Sequence, residues 1–411
     1  MLEKTQSFLL NLFPCEDGVL PFDRELLFES CAAWMADRLF ALGPVTVLSP
    51  HQGAYGRSET VITGSYDNPV QALRDNLDLL DCETAIVCDA PAPELVEKDY
   101  GELEFMHVAQ NAALTELVAD HQESGMRSLH LMAFDVPKLR RALQKSEAPT
   151  LLQLALEMKR NGFKLSTIST HHGRAVTTAE EAYETQRLLQ RRINLALLNK
   201  GVQFLDLDHV YVSRDSAVGA GCTLLPGTII RGGSQVEAGC TIGPNTLLDQ
   251  AVIGPGTTVN SSQVLESSVG EKSTVGPFAY IRPGCQVGAG ARIGDFVELK
   301  KSSIGDGTKV SHLTYIGDAK VGERVNFGCG TVVVNYDGFG KYETRIGDDA
   351  FIGCNTNLVA PVSVGRGAFT AAGTTVTEDV PDDALAIGRA RQENRADWAA
   401  RNREKKGGQA Q

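Results

Sequence analysis

Only two histidines follow position 200, and one of them, His312, sits in the polar run Ser311-His312-Leu313-Thr314-Tyr315. A neutral imidazole near pH 7 is the usual general base. Upstream lie Arg282, Lys300 and Lys301, the first two eighteen residues apart. If eighteen residues make one turn of a coil, Arg282 and Lys300 stack on one face and repel. An anion, most naturally a phosphate, would relieve them. A surface histidine and a solvated charged face fit the same residues, so both readings stand at this point. Downstream, Asn335 to Arg345 form a polar, glycine-bearing stretch, and loops that leave a rigid scaffold commonly carry function.

The element that positions these residues is an internal repeat. An aliphatic residue returns every six positions at Val218, Leu224, Ile230, Val236, Ile242 and Leu248, then from Val269 through Val275, Ile281, Val287, Ile293 and Leu299. After dropped residues it continues at Ile304, Val310 and Ile316, at Val321, Phe327 and Val333, and at Ile346, Ile352, Leu358 and Val364. A helix repeats at three and four and a strand at two, so a period of six belongs to neither. Three short strands with turns closing a triangular coil account for it, the aliphatic residue pointing inward and stacked coils sharing their hydrogen bonds. The fold expected is a parallel β-helix. Glycine in the next position, as at Gly219, Gly288, Gly305 and Gly347, is expected at corners whose φ only glycine adopts freely. The interruption between Val333 and Ile346 is where chemistry is expected.

Residues 1 to about 200 read differently. Val45–Leu48, Thr84–Val87, Leu129–Phe134 and Lys164–Ile168 read as strands, and Arg24–Leu42, Pro69–Leu80 and Leu151–Asn161 as helices between them. Alternation of this kind implies a mostly parallel sheet with helices on its faces. Thr178 followed by Glu181 is a capping box opening a long helix, and Gly201 ends it. The resulting domains are 1–177 (α/β), 178–200 (linker helix), 201–388 (β-helix) and 389–411 (basic tail). A phosphate-cradling loop is not expected after the first strand: the first 42 residues hold a single glycine, Gly18, and no GxGxxG or GxxxxGK occurs there.

A net charge of −12 over 411 residues argues against general nucleic-acid or anionic-membrane binding. No apolar run reaches membrane-span length and the N-terminus lacks a signal-peptide pattern, so a cytoplasmic protein is expected. The nine cysteines are scattered, without CxxC, and read as reduced.

The motifs Gly276-Pro277-Phe278-Ala279, Arg282-Pro283-Gly284, Phe296-Val297-Glu298-Leu299-Lys300-Lys301, His312-Leu313-Thr314-Tyr315-Ile316-Gly317-Asp318, Asn335-Tyr336-Asp337-Gly338 and Val359-Ala360-Pro361-Val362 occur in that order. In them the chain resembles the bacterial bifunctional enzymes of GlmU type that make UDP-N-acetylglucosamine. Dense over about 200 to 390, the resemblance implies a left-handed β-helix acetyltransferase domain behind a nucleotidyltransferase-like α/β domain. It implies N-acetylation of glucosamine 1-phosphate by acetyl-CoA, the co-substrate, in a homotrimer whose active sites lie between neighbours. It places Arg282 and Lys300 on the sugar phosphate, with Tyr315, Asn326 and Lys341 completing the substrate site. His312 falls on the catalytic base. Asn335 and Tyr336, with Cys329, Cys354, Ala372 and Arg389, fall on the loop and cofactor side. Cys329 and Cys354 stand where the family usually has small Ala and Ser. Simple packing also accounts for these thiols.

The resemblance fails at the N-terminus, where nothing matches the family's glycine-rich UTP loop and the domain is shortened. Cys88-Asp89-Ala90-Pro91 is similar to the family's metal turn, which makes Asp89 a candidate remnant of a magnesium ligand. The expectation is a degenerate domain without uridylyltransferase activity that supports the β-helix or the oligomer. The arginines and lysines beyond Arg389 form either an ordinary solvated tail or an arm reaching CoA phosphates on a neighbour. Two alternatives remain: a hexapeptide acyltransferase acting on another amino sugar or nucleotide sugar, and a non-catalytic trimeric scaffold or regulatory partner. A zinc carbonic anhydrase needs three histidines, which the β-helix lacks.

Overall fold

The computed structural model describes residues 3–58, 60–121 and 125–407. The first two residues of the α/β stretch and the last four of the basic tail lie outside these. The chain divides into two compact units, one holding the residues up to Ala196 with Tyr211–Ser213, the other Leu197–Val210 with the chain from Arg214.

The first unit is built on a seven-stranded sheet in the order Thr60–Thr63, Val45–Ser49, Glu3–Leu10, Cys82–Cys88, Gly125–Asp135, Leu114–His121, Leu165–Thr170. Gly125–Asp135 runs antiparallel to both of its neighbours and the other pairs are parallel, so the sheet is mostly parallel, as expected. Strand alternation gives it two apolar faces. Phe8, Leu10, Val87 and Phe134 pack with residues of the helices Pro69–Asp75, Val136–Leu143 and Leu151–Arg160. Leu9, Val47, Ile86 and Leu131 pack with residues of the helices Cys31–Leu39 and Glu97–Ala109. Helix Cys31–Leu39 starts later than the sequence suggests. Residues 25–30 instead form a small antiparallel hairpin with Leu27 and Phe28 at positive φ, and Ser30 caps the helix through the Ala33 N–H at 3.1 Å. The Thr178/Glu181 capping box is present, with reciprocal bonds of 3.2 and 3.0 Å opening helix Ala179–Asn199.

From Gln203 the chain winds into a three-sided parallel β-helix whose faces are sheets of eleven, ten and nine strands. The hexad residues fill its interior: Leu224, Ile230, Ile281, Leu299, Val310, Ile316, Ile352 and Leu358 are all fully buried. The repeat also continues where the sequence reading left a gap, through Ile253, Val259 and Val264, equally buried. Three of these steps are five residues long, the missing residue being absorbed at a corner while the strands stay in register.

The glycines after the core residue have a different reason from the one expected. Gly243 and Gly276 have φ of +108° and +99°, but the other glycines in that position do not have positive φ. What they supply is room: a Cβ on Gly219 would lie 2.6 Å from the Ala238 nitrogen in the coil above, and one on Gly305 2.4 Å from the Gly322 carbonyl carbon. Left-handed φ falls two residues further on in most coils, at Gly307 but also at Lys272 and Arg324. The insertion leaves the coil after Val332–Val334 and rejoins it at Thr344–Ile346, closed by the Tyr342 N–H on the Asn335 carbonyl and by Asp337, which accepts from the Phe339 and Gly340 N–H groups.

Candidate functional site

His312 ends strand Lys309–His312, at the corner between the eleven-stranded and ten-stranded faces. In the coil below, its ladder partner is Asp295, and the imidazole Nδ1 lies 2.5 Å from Asp295 Oδ1. This contact holds the Asp295 carboxyl below the usual carboxylate range. In the tautomer whose Nδ1–H donates to this carboxylate, Nε2 is the ring's acceptor. Half of the imidazole surface is open to solvent.

The same corner continues upward. Val310 pairs with Phe327, Phe327 with Ile352 and Ile352 with Thr370. Two residues on, His312, Cys329, Cys354 and Ala372 therefore follow one another along a single edge. Arg389 closes the line, its Cδ being the one atom within 4 Å of a Cβ built on Gly373.

A second cluster occupies the ten-stranded face. Tyr280 pairs with Glu298 and Glu298 with Tyr315, which puts Arg282 and Lys300 on this face as their spacing implied. They do not form an unrelieved like-charge stack, however. Arg282 is paired with Glu298 at 2.8 Å and lies over the Tyr280 ring, and Lys300 is paired with Asp318 at 3.3 Å. The carboxylates of the next coil, which the spacing argument did not include, neutralise both. The like charges meet elsewhere. Lys341, returning on the insertion loop, stands beside Lys300, whose ammonium holds the Lys341 pKa below the usual lysine range. Lys341 also lines a cavity of about 380 Å³ with Lys301, Asp318, Lys320 and Glu343. The two carboxylates of this cavity are matched, Asp318 by Lys300 and Glu343 by Lys320. Lys301 and Lys341 have no ion pair of their own among the described contacts. The excess positive charge suits an anion.

Asn335 is buried and its side-chain amide donates to Asp318, which ties the insertion loop to Lys300. Gly317 lies beneath this group: a Cβ there would stand 2.4 Å from Tyr315 Oη and 2.8 Å from Asn335 Nδ2. Arg282, Lys300, Tyr315, Asn335 and Lys341 thus share one neighbourhood. Tyr336 is exposed and bonds the Gly338 carbonyl. Asn326 is on the eleven-stranded face, paired with Lys309 and Phe351, and no described hydrogen bond or ion pair joins it to His312 or to the cations. Sequence reasoning missed Asp295, Asp318 and Gly317.

In the first unit, Asp89 Oδ1 accepts from His130 Nδ1 at 2.9 Å, and this bond raises the His130 pKa. The Asp89 carboxylate is thus engaged by a neighbouring imidazole. Among the described residues, no group of three or more His, Cys, Asp or Glu side chains could hold a metal. No described helix is long and apolar enough to cross a membrane.

Residues 266–301 match the family described as bacterial transferase hexapeptide (six repeats), and 212–244 and 343–378 the hexapeptide repeat of succinyl-transferase. The bifunctional protein GlmU of Clostridium botulinum (strain ATCC 19397 / Type A) is 42% identical over 312 residues, 74% of this chain and 67% of its own length. The bifunctional protein GlmU of Halalkalibacterium halodurans is 46% identical over 256 residues, 62% of this chain and 56% of its own length. The Clostridium match is longer than the β-helix and tail together, so it reaches into the α/β unit. Among solved structures, a CMP:2-keto-3-deoxy-manno-octonic acid synthetase complexed with CTP is similar at TM-score 0.40 and 10% identity, over 46% of this chain and 99% of that one. On the strength of the identity and its extent, the chain belongs to the family of the bifunctional protein GlmU.

Proposed function

We propose that His312, held by Asp295, is the general base of acetyl transfer from acetyl-CoA to the amine of glucosamine 1-phosphate. The chain is an acyltransferase of UDP-N-acetylglucosamine synthesis, with its repeats in a left-handed β-helix. In this reading Arg282, Lys300 and Lys341 take the phosphate, and Tyr315 and Asn335 fix the sugar. Acetyl-CoA lies along the edge of Cys329, Cys354 and Ala372 toward Arg389. The amine attacks the thioester carbonyl carbon while His312 Nε2 takes a proton from it. The C–S bond then breaks, and CoA leaves as the thiol once a proton is returned. An ammonium has no lone pair for that attack, which is why a base is needed.

The observation that carries this reading is the line of one corner, on which the His312–Asp295 pair is followed directly by the edge assigned to the cofactor. The homotrimer with sites between neighbours is read from the kinship with the GlmU proteins and their hexapeptide repeats. The α/β unit is read as having lost uridylyl transfer. Its first strand, Glu3–Leu10, runs into a segment with no glycine before Gly18, and Asp89 is engaged by His130. Following free CoA thiol with glucosamine 1-phosphate, with UDP-amino sugars as rival acceptors, tests the first reading. Following pyrophosphate with N-acetylglucosamine 1-phosphate, UTP and magnesium tests the second. Pyrophosphate release would overturn the loss of uridylyl transfer, and acetylation of a UDP-amino sugar alone would overturn the acceptor.

A further inference from the structure

The β-helix carries two stacked pairs of cysteines, and they differ in access. Cys222 and Cys240 follow each other in consecutive coils, both fully buried, each thiol bonded to a backbone carbonyl, of Glu237 and of Gly254. Cys329 and Cys354 follow each other in the same way, but Cys354 is exposed and Cys329 half-buried. Their register is fixed on both sides. The Gly328 N–H donates to the Ile352 carbonyl at 2.7 Å, and the Asn355 N–H to the Cys329 carbonyl at 2.8 Å. Neighbouring parallel strands lie about 4.8 Å apart, so the two Cα atoms fall within the roughly 4.4–6.8 Å at which two sulfurs can share a bridge. Among the described cysteines outside this pair, only Cys15, in the other unit, has appreciable exposure.

We propose that Cys329 and Cys354 form an accessible vicinal dithiol that binds trivalent arsenicals across both sulfurs. Two As–S bonds form, the arsenic–oxygen bond is lost, and the two thiol protons leave with that oxygen as water. Arsenic remains trivalent, so no oxidant is required. The bridge lies between His312 and Ala372 on the edge assigned above to acetyl-CoA, and therefore closes it. The functional consequence rests on that assignment, whereas binding of the arsenical does not.

The test treats the purified full chain with phenylarsine oxide and reads intact mass and CoA release. One arsenic per chain is expected, with peptide mapping showing Cys329 and Cys354 joined. Acetyl transfer is expected to fall by about tenfold or more, acetyl-CoA to protect, and 2,3-dimercaptopropanol but not a monothiol to reverse the loss. Cys354→Ser and Cys329→Ala, each compared with its own untreated rate, are expected to lose this sensitivity. Arsenic retained in Cys354→Ser, or bound across other cysteines, overturns the dithiol. An arsenic bridge at the expected pair with unchanged turnover overturns the closure of the edge. If the untreated chain releases no CoA, the acetyl-transfer reading fails while the mass measurement still decides the dithiol.

Discussion

Gly317 is a clean steric probe of the acceptor site. Its φ is not in the left-handed region, so alanine meets no backbone penalty there. The added Cβ would lie 2.4 Å from Tyr315 Oη and 2.8 Å from Asn335 Nδ2, whereas ordinary contact begins at 3.4 Å. The hydroxyl must therefore retreat by about 1 Å and the amide by about 0.6 Å, differences that follow directly from these distances. Both atoms end side chains that can turn aside, so the cost to folding should stay at the low end of the roughly 1–3 kcal/mol typical of overpacking. Catalysis is less forgiving, since a misplacement of about 1 Å can cost on the order of 100-fold. Gly317→Ala should therefore lower kcat/KM for glucosamine 1-phosphate by about 100-fold, close to 2.7 kcal/mol. The melting temperature should barely change. Steady-state kinetics with each substrate varied, beside a thermal melt, measure both. A folded variant with wild-type kcat/KM would refute the placement of Tyr315 and Asn335 on the acceptor.

Lys341→Met removes one of the two lysines of the cavity that have no ion pair among the described contacts, and should raise KM for glucosamine 1-phosphate by about tenfold or more, leaving KM for acetyl-CoA alone. Asp295→Ala frees the His312 ring and should lower kcat by roughly 10–100-fold, by analogy with residues that orient a histidine from behind. Asp295→Asn, whose amide oxygen can still accept from Nδ1–H, should recover part of the loss. In thermal melts against pH, two histidines of the α/β unit act in opposite directions. Burial pushes the His107 pKa down to about 4 from its ordinary 6.5, so its contribution is present above pH 6.5 and lost as pH falls toward 4. The Asp89 bond raises the His130 pKa above 6.5, so its contribution is present below 6.5 and lost as pH rises through the folded value. Asp89→Asn should flatten the alkaline side of the stability profile and His107→Gln the acid side.

The β-helix was legible because its period is set by geometry: one inward residue per hexad, whatever the neighbours do. His312, Arg282 and Lys300 were legible with it, since they stand out from a uniform coil. Asp295 was not. A strict turn of eighteen would place Gly294 opposite His312, and only the five-residue step from Leu299 to Ile304 brings Asp295 there instead. The carboxylates facing Arg282 and Lys300 were missed because a spacing argument names what stacks, not which side chains reach across. The glycine corners were misattributed for a related reason, since coil-to-coil clearance is invisible in a one-dimensional pattern. In the α/β unit the strand Glu3–Leu10 escaped notice because Thr5 and Ser7 are buried polar residues within it. Helix Glu97–Ala109 escaped because Phe105 and Val108 lie on its exposed side and blur the apolar stripe.

The measurement closest to the central claim compares wild type with His312→Ala in CoA release at saturating glucosamine 1-phosphate and acetyl-CoA. Loss of a general base should slow turnover by roughly 100-fold or more, with folding and acetyl-CoA binding intact. Turnover by His312→Ala at the wild-type rate would contradict the assignment of the base, and with it the mechanism built on the Asp295–His312 pair.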